Sequence, residues 1–374
     1  MEHNVLFLQD REVRQILTMK DAIGALDESF RELGEGRAIN RTRSHTHLPT
    51  AYDGLAFRFK TFEGGLSKAG FYGMRVFSDH LSYPTVAGGQ RQVKKYYDEK
   101  FANGLAMISD IAENRLVAII ADGWFSLLRV GGTSALGTRY LARADVQDVG
   151  LLGSGWQARG LAMGLKVVLP SLRRIKIYSP NPSHRAQFSK EMSTHLSIPV
   201  QPVDSDDEAI ENVQVIATAT SSMVPVVKTE WLREGIHIVA GAHACEIPDD
   251  VISKADVAII AQHEVGLEPR SPDFEEAVRR GKMVLQGEIQ SKRSLDWSKL
   301  GLLSDLVVGK KPGRQSDKQI TLMINNFGLG TQYAALGALA YKLAQERGLG
   351  YPLPYSWFLS EYSWNNQEQL NEIC

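Results

Sequence analysis

Val149-Gly150-Leu151-Leu152-Gly153-Ser154-Gly155-Trp156-Gln157-Ala158 is the stretch on which the fold turns. An apolar run, Val146–Leu152, leads into the glycines; a helical run, Trp156–Leu169, leaves them and stops at Pro170. The spacing is G-x-G-x-x-A. Gly153 permits a sharp turn, Gly155 lets backbone approach a pyrophosphate, and Ala158 lets helix and strand pack closely. The helix start presents free N–H groups and a partial positive charge to phosphates. A glycine motif by itself says little. Strand before and helix after make this one the dinucleotide turn of a Rossmann-type fold, with Ser154, Trp156 and Gln157 beside the ligand.

The next strand, Arg174–Tyr178, selects the nucleotide. Sites for NAD usually place Asp or Glu at its end, on the ribose hydroxyls. Here the chain reads Tyr178-Ser179-Pro180-Asn181-Pro182-Ser183-His184-Arg185, without a carboxylate. Ser179, Asn181 and Ser183 can donate hydrogen bonds, and Arg185 can neutralise a 2′-phosphate. NADP(H) is therefore preferred, with NAD(H) as the other possibility.

Working outward, strands and helices alternate from about Phe125 to residue 320, with later strands at Val213–Ala219, Ile236–Ala240 and Val257–Ala261. That alternation predicts a parallel sheet with helices on both faces. Upstream, Thr18–Leu33 reads as an amphipathic helix capped by Thr18 and Asp21. Arg41, Arg43, His45 and His47 alternate along a strand and would share one face. Leu55–Phe62 and Gly70–Phe77 are further strands, and Leu105–Ser109 with Leu116–Ala121 a hairpin. Tyr83–Lys100 is polar and basic and reads as a loop or small excursion. After Asn325 a glycine-rich turn precedes a helix, Thr331–Arg347, whose small residues suit close packing. The expected fold is α/β: a Rossmann nucleotide-binding domain, residues 125–325, inserted into a discontinuous α+β substrate and dimerisation domain, residues 1–124 plus 326–374.

Composition narrows the class. The chain has 374 residues, 43% apolar and 23% charged, as for a folded protein of about two domains. A net charge of −1 gives no general attraction to nucleic acid or an anionic membrane. Cys245 and Cys374 are the two cysteines, which fits a reducing compartment. No secretory leader is evident, and no apolar run approaches the ~18 residues of a membrane span, so a cytoplasmic location is expected.

With these residues in hand, the sequence resembles the ornithine cyclodeaminase/μ-crystallin family. Leu128-Arg129-Val130-Gly131-Gly132-Thr133-Ser134-Ala135 is similar to the family's arginine–threonine–Ser–Ala helix, and Gly153–Ala158 to its glycine motif. Ala217-Thr218-Ala219-Thr220 with Pro225, Gly235–Ile238 and Gly328-Leu329-Gly330 carry the likeness further. The resemblance implies a dimer whose members reduce imines, dehydrogenate amino acids or cyclise ornithine with loss of ammonia, by hydride transfer between nicotinamide and an amino-acid Cα. It places Thr133, Thr218, Ala219 and Thr220 at the cofactor.

An amino or imino acid needs a cation for its carboxylate, and arginine's planar fork suits it. Arg129 matches the family's carboxylate-binding arginine, just before a Gly-Gly-Thr-Ser turn. Arg43 matches its early arginine, with Arg41 as the competing alignment. Arg75 stands where the family usually has lysine; it is a clamp rather than an acid, because guanidinium is far harder to deprotonate. Lys60 could compensate, or be a solvated strand lysine. The family's aspartate after the fifth strand is missing from Ala240-Gly241-Ala242-His243-Ala244-Cys245-Glu246, so His243 or Glu246 is the candidate for proton transfer, or a turn-capping residue. Cys245 reads as a buried filler. His45 and His47 lack a third ligand, so no metal site is expected. The aromatic tail, Tyr351 to Trp364, is expected to cover a core or a dimer seam. The leading function is an NAD(P)H-dependent oxidoreductase on the C–N bond of an amino or imino acid, an imine reductase or amino-acid dehydrogenase. The alternatives are an ornithine cyclodeaminase-like lyase that recycles its cofactor and a crystallin-like nucleotide-binding protein.

Overall fold

The computed structural model describes residues 4–86, 89–96, 103–263, 272–283, 285–286 and 295–360. Strand β1 (Asn4–Leu8) precedes helix α1 (Met19–Gly34), which is capped as its sequence predicts. Asp21 N–H donates to Thr18 Oγ1 at 3.2 Å, and Thr18 N–H donates to the Asp21 carboxylate at 3.3 Å. Ile23, Leu26 and Phe30 form its buried stripe.

An antiparallel meander follows: β2 (Ser44–Pro49), β3 (Ala56–Leu66) and β4 (Phe71–Ser82). Burial alternates strictly along β4, so Arg75, Phe77 and Asp79 share its inner face. The expected loop at 83–100 is partly strand. Thr85–Val86 pairs with Gly89–Gln90, and β5 (Val93–Lys95) returns antiparallel along the end of β4. The reason lies in β4, which runs to Ser82 rather than Phe77 and leaves an unpaired edge for β5 to fill. Residues 97–100 lie outside the described set. β6 (Asn103–Asp110) and β7 (Arg115–Ala121) form the expected hairpin.

Helix α2 (Asp122–Leu141) corrects another expectation. Gly131-Gly132-Thr133-Ser134 is not a turn but the middle of this helix. Glycine costs about 1 kcal/mol in a helix interior. Here it permits backbone contact: a Cβ on Gly131 would strike the Gly160 carbonyl of the crossing helix.

The second sheet holds β8 (Asp148–Leu152), β9 (Arg174–Tyr178), β10 (Val200–Pro202), β11 (Val215–Thr218), β12 (His237–Ala240), β13 (Val257–Ile260) and β14 (Thr321–Ile324). Its order is β10-β9-β8-β11-β12-β14-β13, all parallel. Helix α3 (Trp156–Val168) follows β8, and α4 (Pro182–Leu196) follows β9. The strand order reverses between β8 and β11, the place where open α/β sheets bind ligands.

The chain then returns to the first sheet. Helix α5 (Gly330–Arg347) packs against β3 and β4, and β15 (Tyr351–Pro354) pairs antiparallel with β1. That sheet therefore reads β2-β3-β4-β6-β7-β1-β15, with β5 at the side of β4. One apolar cluster, from Leu8 and Phe30 through Phe125 to Leu151 and Ile175, runs across α2 from sheet to sheet. Among the described residues, no helix is long and apolar enough to cross a membrane. Of the expected tail cover, Trp357 is 71% exposed, and residues from 361 onward lie outside the described set.

Candidate active site

A cleft of about 1790 Å³ opens between the carboxyl ends of β8 and β11 and the inner faces of β3 and β4. Single small-molecule sites usually occupy roughly 300–1,000 Å³, so this one has room for a dinucleotide and a small acid together.

One wall is built from main chain. Gly153 sits at φ 111°, and its N–H donates to the Tyr178 carbonyl at 2.8 Å. A Cβ there would strike the Ala219 carbonyl, so only glycine turns the chain here. Gly155 is the N-cap of α3 and supplies no side-chain cap, leaving the first N–H groups of the helix to a ligand. A Cβ on Gly155 would meet nothing within 4 Å, an open cradle of the kind a pyrophosphate fills. The Ser154 and Ser179 hydroxyls hydrogen-bond at 2.8 Å beside it. Gln157, Asn181, Ala219 and Thr220 also line the cleft, and Ala158 is fully buried beneath the turn. Trp156 stands at the mouth, edge-on to Trp124 at 6.3 Å, with Arg14 over both rings. These residues fit the pyrophosphate of a dinucleotide.

Four expected cofactor contacts, Thr133, Ser183, Arg185 and Thr218, do not line the cleft. Thr133 is fully buried in α2; its hydroxyl donates to the Arg129 carbonyl and accepts from Gln332 at 2.8 Å. Ser183 lies exposed in the first turn of α4 and does not line the cleft; His184 does. Arg185 is paired with Asp204 and donates to the Ser179 carbonyl at 3.0 Å. Thr218 is buried and donates to Glu246 at 3.1 Å.

Glu246 is corrected with it. Its carboxyl lies under the cleft floor, fully buried, and also accepts the Thr220 and His243 N–H groups at 2.7 and 3.1 Å. Burial pushes it up to about 7, against those hydrogen bonds. It buckles two loops together rather than meeting a ligand. His243 lines the cleft, but burial and then Lys94, Lys60, Arg58 and Arg43 hold its imidazole down at about 3. It is neutral at working pH instead of titrating there. Cys245 is 9% exposed, with its Sγ 3.4 Å from the Ser222 carbonyl.

The opposite wall is built from charge. Arg75 lines it but is engaged: Nε donates to Asp122 at 2.7 Å, and Nη2 reaches the same oxygen. Burial opposes the charge on Arg75; Asp122 wins and keeps the guanidinium protonated. Arg58 and Asp79 form a second buried pair, bidentate at 2.9 and 2.6 Å. Arg129 is different. It is 9% exposed, faces Gly328 in the cleft, and its Nε has no hydrogen-bond partner. No carboxylate pairs with it among the described residues. A buried donor left unmade costs about 1–3 kcal/mol, and an incoming carboxylate removes that cost.

Arg43 also faces the cleft, stacked over Phe327 at 3.8 Å, while Arg41 points away, 65% exposed, to Glu63 at 3.2 Å. Arg43 stands before the strand rather than in it, so the shared face holds only His45 and His47, both buried behind the cleft. Lys60 lines the cleft from β3 and is not a solvated lysine.

A family model described as the ornithine cyclodeaminase/mu-crystallin family matches residues 3–347. The chain belongs to that family. It is 25% identical over 351 residues to Δ1-pyrroline-2-carboxylate reductase of Bacillus cereus, covering 92% of this chain and 98% of that one. It is likewise 25% identical over 361 residues to alanine dehydrogenase of Archaeoglobus fulgidus, covering 92% and 97%. The structure of Thermococcus litoralis Δ1-pyrroline-2-carboxylate reductase, with NADH and L-proline, superposes with a TM-score of 0.72 at 25% identity, over 93% of this chain and 99% of that one.

Against that background, four residues of the charged wall escaped the sequence reading: Arg58, Asp79, Lys94 and Asp122. A signal for two was present. Arg58, Lys60 and Phe62 alternate along β3, as Arg75, Phe77 and Asp79 do along β4, which puts each trio on one face. The pairing of Arg75 with Asp122 across 47 residues had no local signature.

Proposed function

We propose that this family member reduces the C=N bond of an imino acid, or oxidises the corresponding amino acid, with a nicotinamide dinucleotide. The observation that carries the reading is Arg129, a buried guanidinium without a carboxylate, facing the same cleft as the glycine turn. Gly153, Ser154 and Gly155 would hold the pyrophosphate, with α3's first N–H groups aimed at it. When bound, the nicotinamide donates or accepts the hydride. Arg129 grips the substrate carboxylate bidentately, and Arg75, fixed by Asp122, adds positive charge beside it. Relatives named as a reductase and a dehydrogenase support the reaction class.

NADP(H) is the preferred cofactor in this reading. β9 ends without a carboxylate, and Arg185's partner Asp204 is 93% exposed. Arg185 itself is 11% exposed, so a 2′-phosphate would have to displace only a hydrated carboxylate from it. Tighter binding of NADPH than NADH checks this. The protein acts as a homodimer, which sedimentation tests.

Arg129→Lys is expected to lower kcat/KM about a hundredfold with nucleotide affinity retained, since an ammonium cannot replace the fork. Unchanged kinetics removes Arg129 from the site. Net cofactor turnover with keto acid, amine and NADPH supports the reductase. Ammonia release without net turnover assigns the cyclodeaminase reaction instead.

A further inference from the structure

Arg129 is not alone in the cleft in keeping a buried polar atom without a partner. Asn325 directly follows β14, is 6% exposed and lines the same cleft. Its side chain is anchored at one end. Nδ2 donates to the Val130 carbonyl at 3.0 Å and to Ser134 Oγ at 3.1 Å, both on α2. A carbonyl can only accept. Ser134 spends its own proton on that same carbonyl at 3.0 Å, so its oxygen accepts as well. The amide therefore has one orientation, since turning it over would set oxygen against two oxygens. Oδ1 is left buried and without a hydrogen-bond partner.

Main chain fixes the residue too. The Asn325 N–H donates to the Ala240 carbonyl of β12 at 2.9 Å. Three residues on, Gly328 lies against Arg129: a Cβ there would come within 2.9 Å of Nη1. A chain spans at most about 3.6 Å per residue, so the Cα atoms of Asn325 and Gly328 are no more than about 11 Å apart. On α2, Val130, which anchors Asn325, is the residue after Arg129. The cleft thus holds two unmade hydrogen bonds of opposite sense rooted on one helix, a donor on Arg129 and an acceptor on Asn325. An α-amino or α-imino acid carries the matching pair. Its carboxylate accepts, and the nitrogen on the neighbouring carbon donates.

We propose that Asn325 Oδ1 accepts the N–H of the substrate's amino or imino nitrogen and makes the site selective for nitrogen over oxygen at that carbon. This deepens the reading of Arg129 given above and rests on it. A keto acid presents a carbonyl oxygen where the imino acid presents N–H. Oxygen then faces oxygen, and the buried acceptor stays unmade, which is how a polar site rejects an analogue that lacks the donor. A neutral amide accepts the hydrogen bond without removing the proton, so Asn325 is a binding group and not a base. The nicotinamide carboxamide also carries N–H groups, and the experiment separates the two sources.

Calorimetry on the nucleotide-loaded protein compares L-proline with cyclopentanecarboxylate, the same ring without nitrogen. L-Proline is expected to bind at least about tenfold tighter. Asn325→Ala is expected to weaken L-proline about tenfold and to leave cyclopentanecarboxylate within about twofold. Ser134→Ala, which frees the amide from one of its two acceptors, serves where Asn325→Ala does not fold; a loss of about threefold confined to L-proline is expected. Equal losses for both acids, or no loss for L-proline, make Asn325 a structural tie and overturn the assignment while leaving Arg129 in place. Nucleotide titrations with the 3-acetylpyridine analogue, whose methyl replaces the amide NH2, test the other source. Any loss with this analogue is expected to be the same in wild-type protein and in Asn325→Ala. A loss confined to wild-type protein gives Oδ1 to the cofactor and overturns the assignment. Binding of neither acid by protein that holds nucleotide overturns the carboxylate reading of Arg129 as well.

Discussion

Gly153, Ser154 and Gly155 face the cleft with main chain and one hydroxyl; Arg58, Arg75 and Arg129, opposite, face it with guanidinium groups. The first wall recognises its ligand by backbone direction and by the end of a helix. It depends on one turn adopting one conformation. The second recognises by charge and depends on which cations are already answered. Asp79 and Asp122 answer two of them and leave Arg129 without a carboxylate among the described residues. Recognition there is set as much by the acids as by the bases.

Asp122→Ala attacks that division most directly. It strands Arg75 as a buried charge, which costs about 3–5 kcal/mol. A large fall in Tm is expected, and an unchanged Tm would mean that Arg75 finds another partner or water.

Glu246 brings charge to the other wall. Its carboxyl titrates at about 7 in the folded protein, above its ordinary 4.5. The neutral form suits the buried site, so this contribution to stability is full below about 4.5 and lost as pH rises through about 7. By linkage the loss is about 2–4 kcal/mol. Glu246→Gln is expected to flatten that part of the curve, measured by denaturant unfolding at pH 5 and pH 8.

Gly155→Val is the smallest effect and separates binding from folding. The space for its side chain is open, so Tm should hold. Nucleotide affinity should fall about tenfold, about 1.4 kcal/mol, because the valine occupies the cradle. A fall in Tm with affinity kept would place the pyrophosphate elsewhere.

The same contrast explains what was legible. The glycine turn is local: six residues, 153–158, with a strand before and a helix after, so its reading survives intact. The return of the chain at Gly328–Gly330 came through the family resemblance, because a small-faced helix by itself suits a helix or a sheet equally. Arg129 was found through its motif, although the glycines after it read as a turn; their helical use depends on Gly160, a partner that arrives only through folding. Asp79 and Asp122 were missed because acids on strands and helix starts are ordinary until pairing brings an arginine across from 21 or 47 residues away. Glu246 was misplaced because a carboxylate near a site is assumed to face it, and only burial shows otherwise.

The contact between Gly131 and Gly160 makes the two walls gauge each other. Arg129 lies two residues before Gly131 on α2, and Gly160 lies on α3, whose first turn receives the pyrophosphate in the proposed reading. Backbone meets backbone at this crossing, so little that is compressible sits between Arg129's helix and the turn of α3. The gap between the two ligands is thereby machined to the thickness of a backbone. A methyl group added at Gly160 would act as a shim, and misplacement by about 1 Å can slow a reaction by roughly a hundredfold. The separation on which reaction depends is thus governed at a place that neither ligand touches.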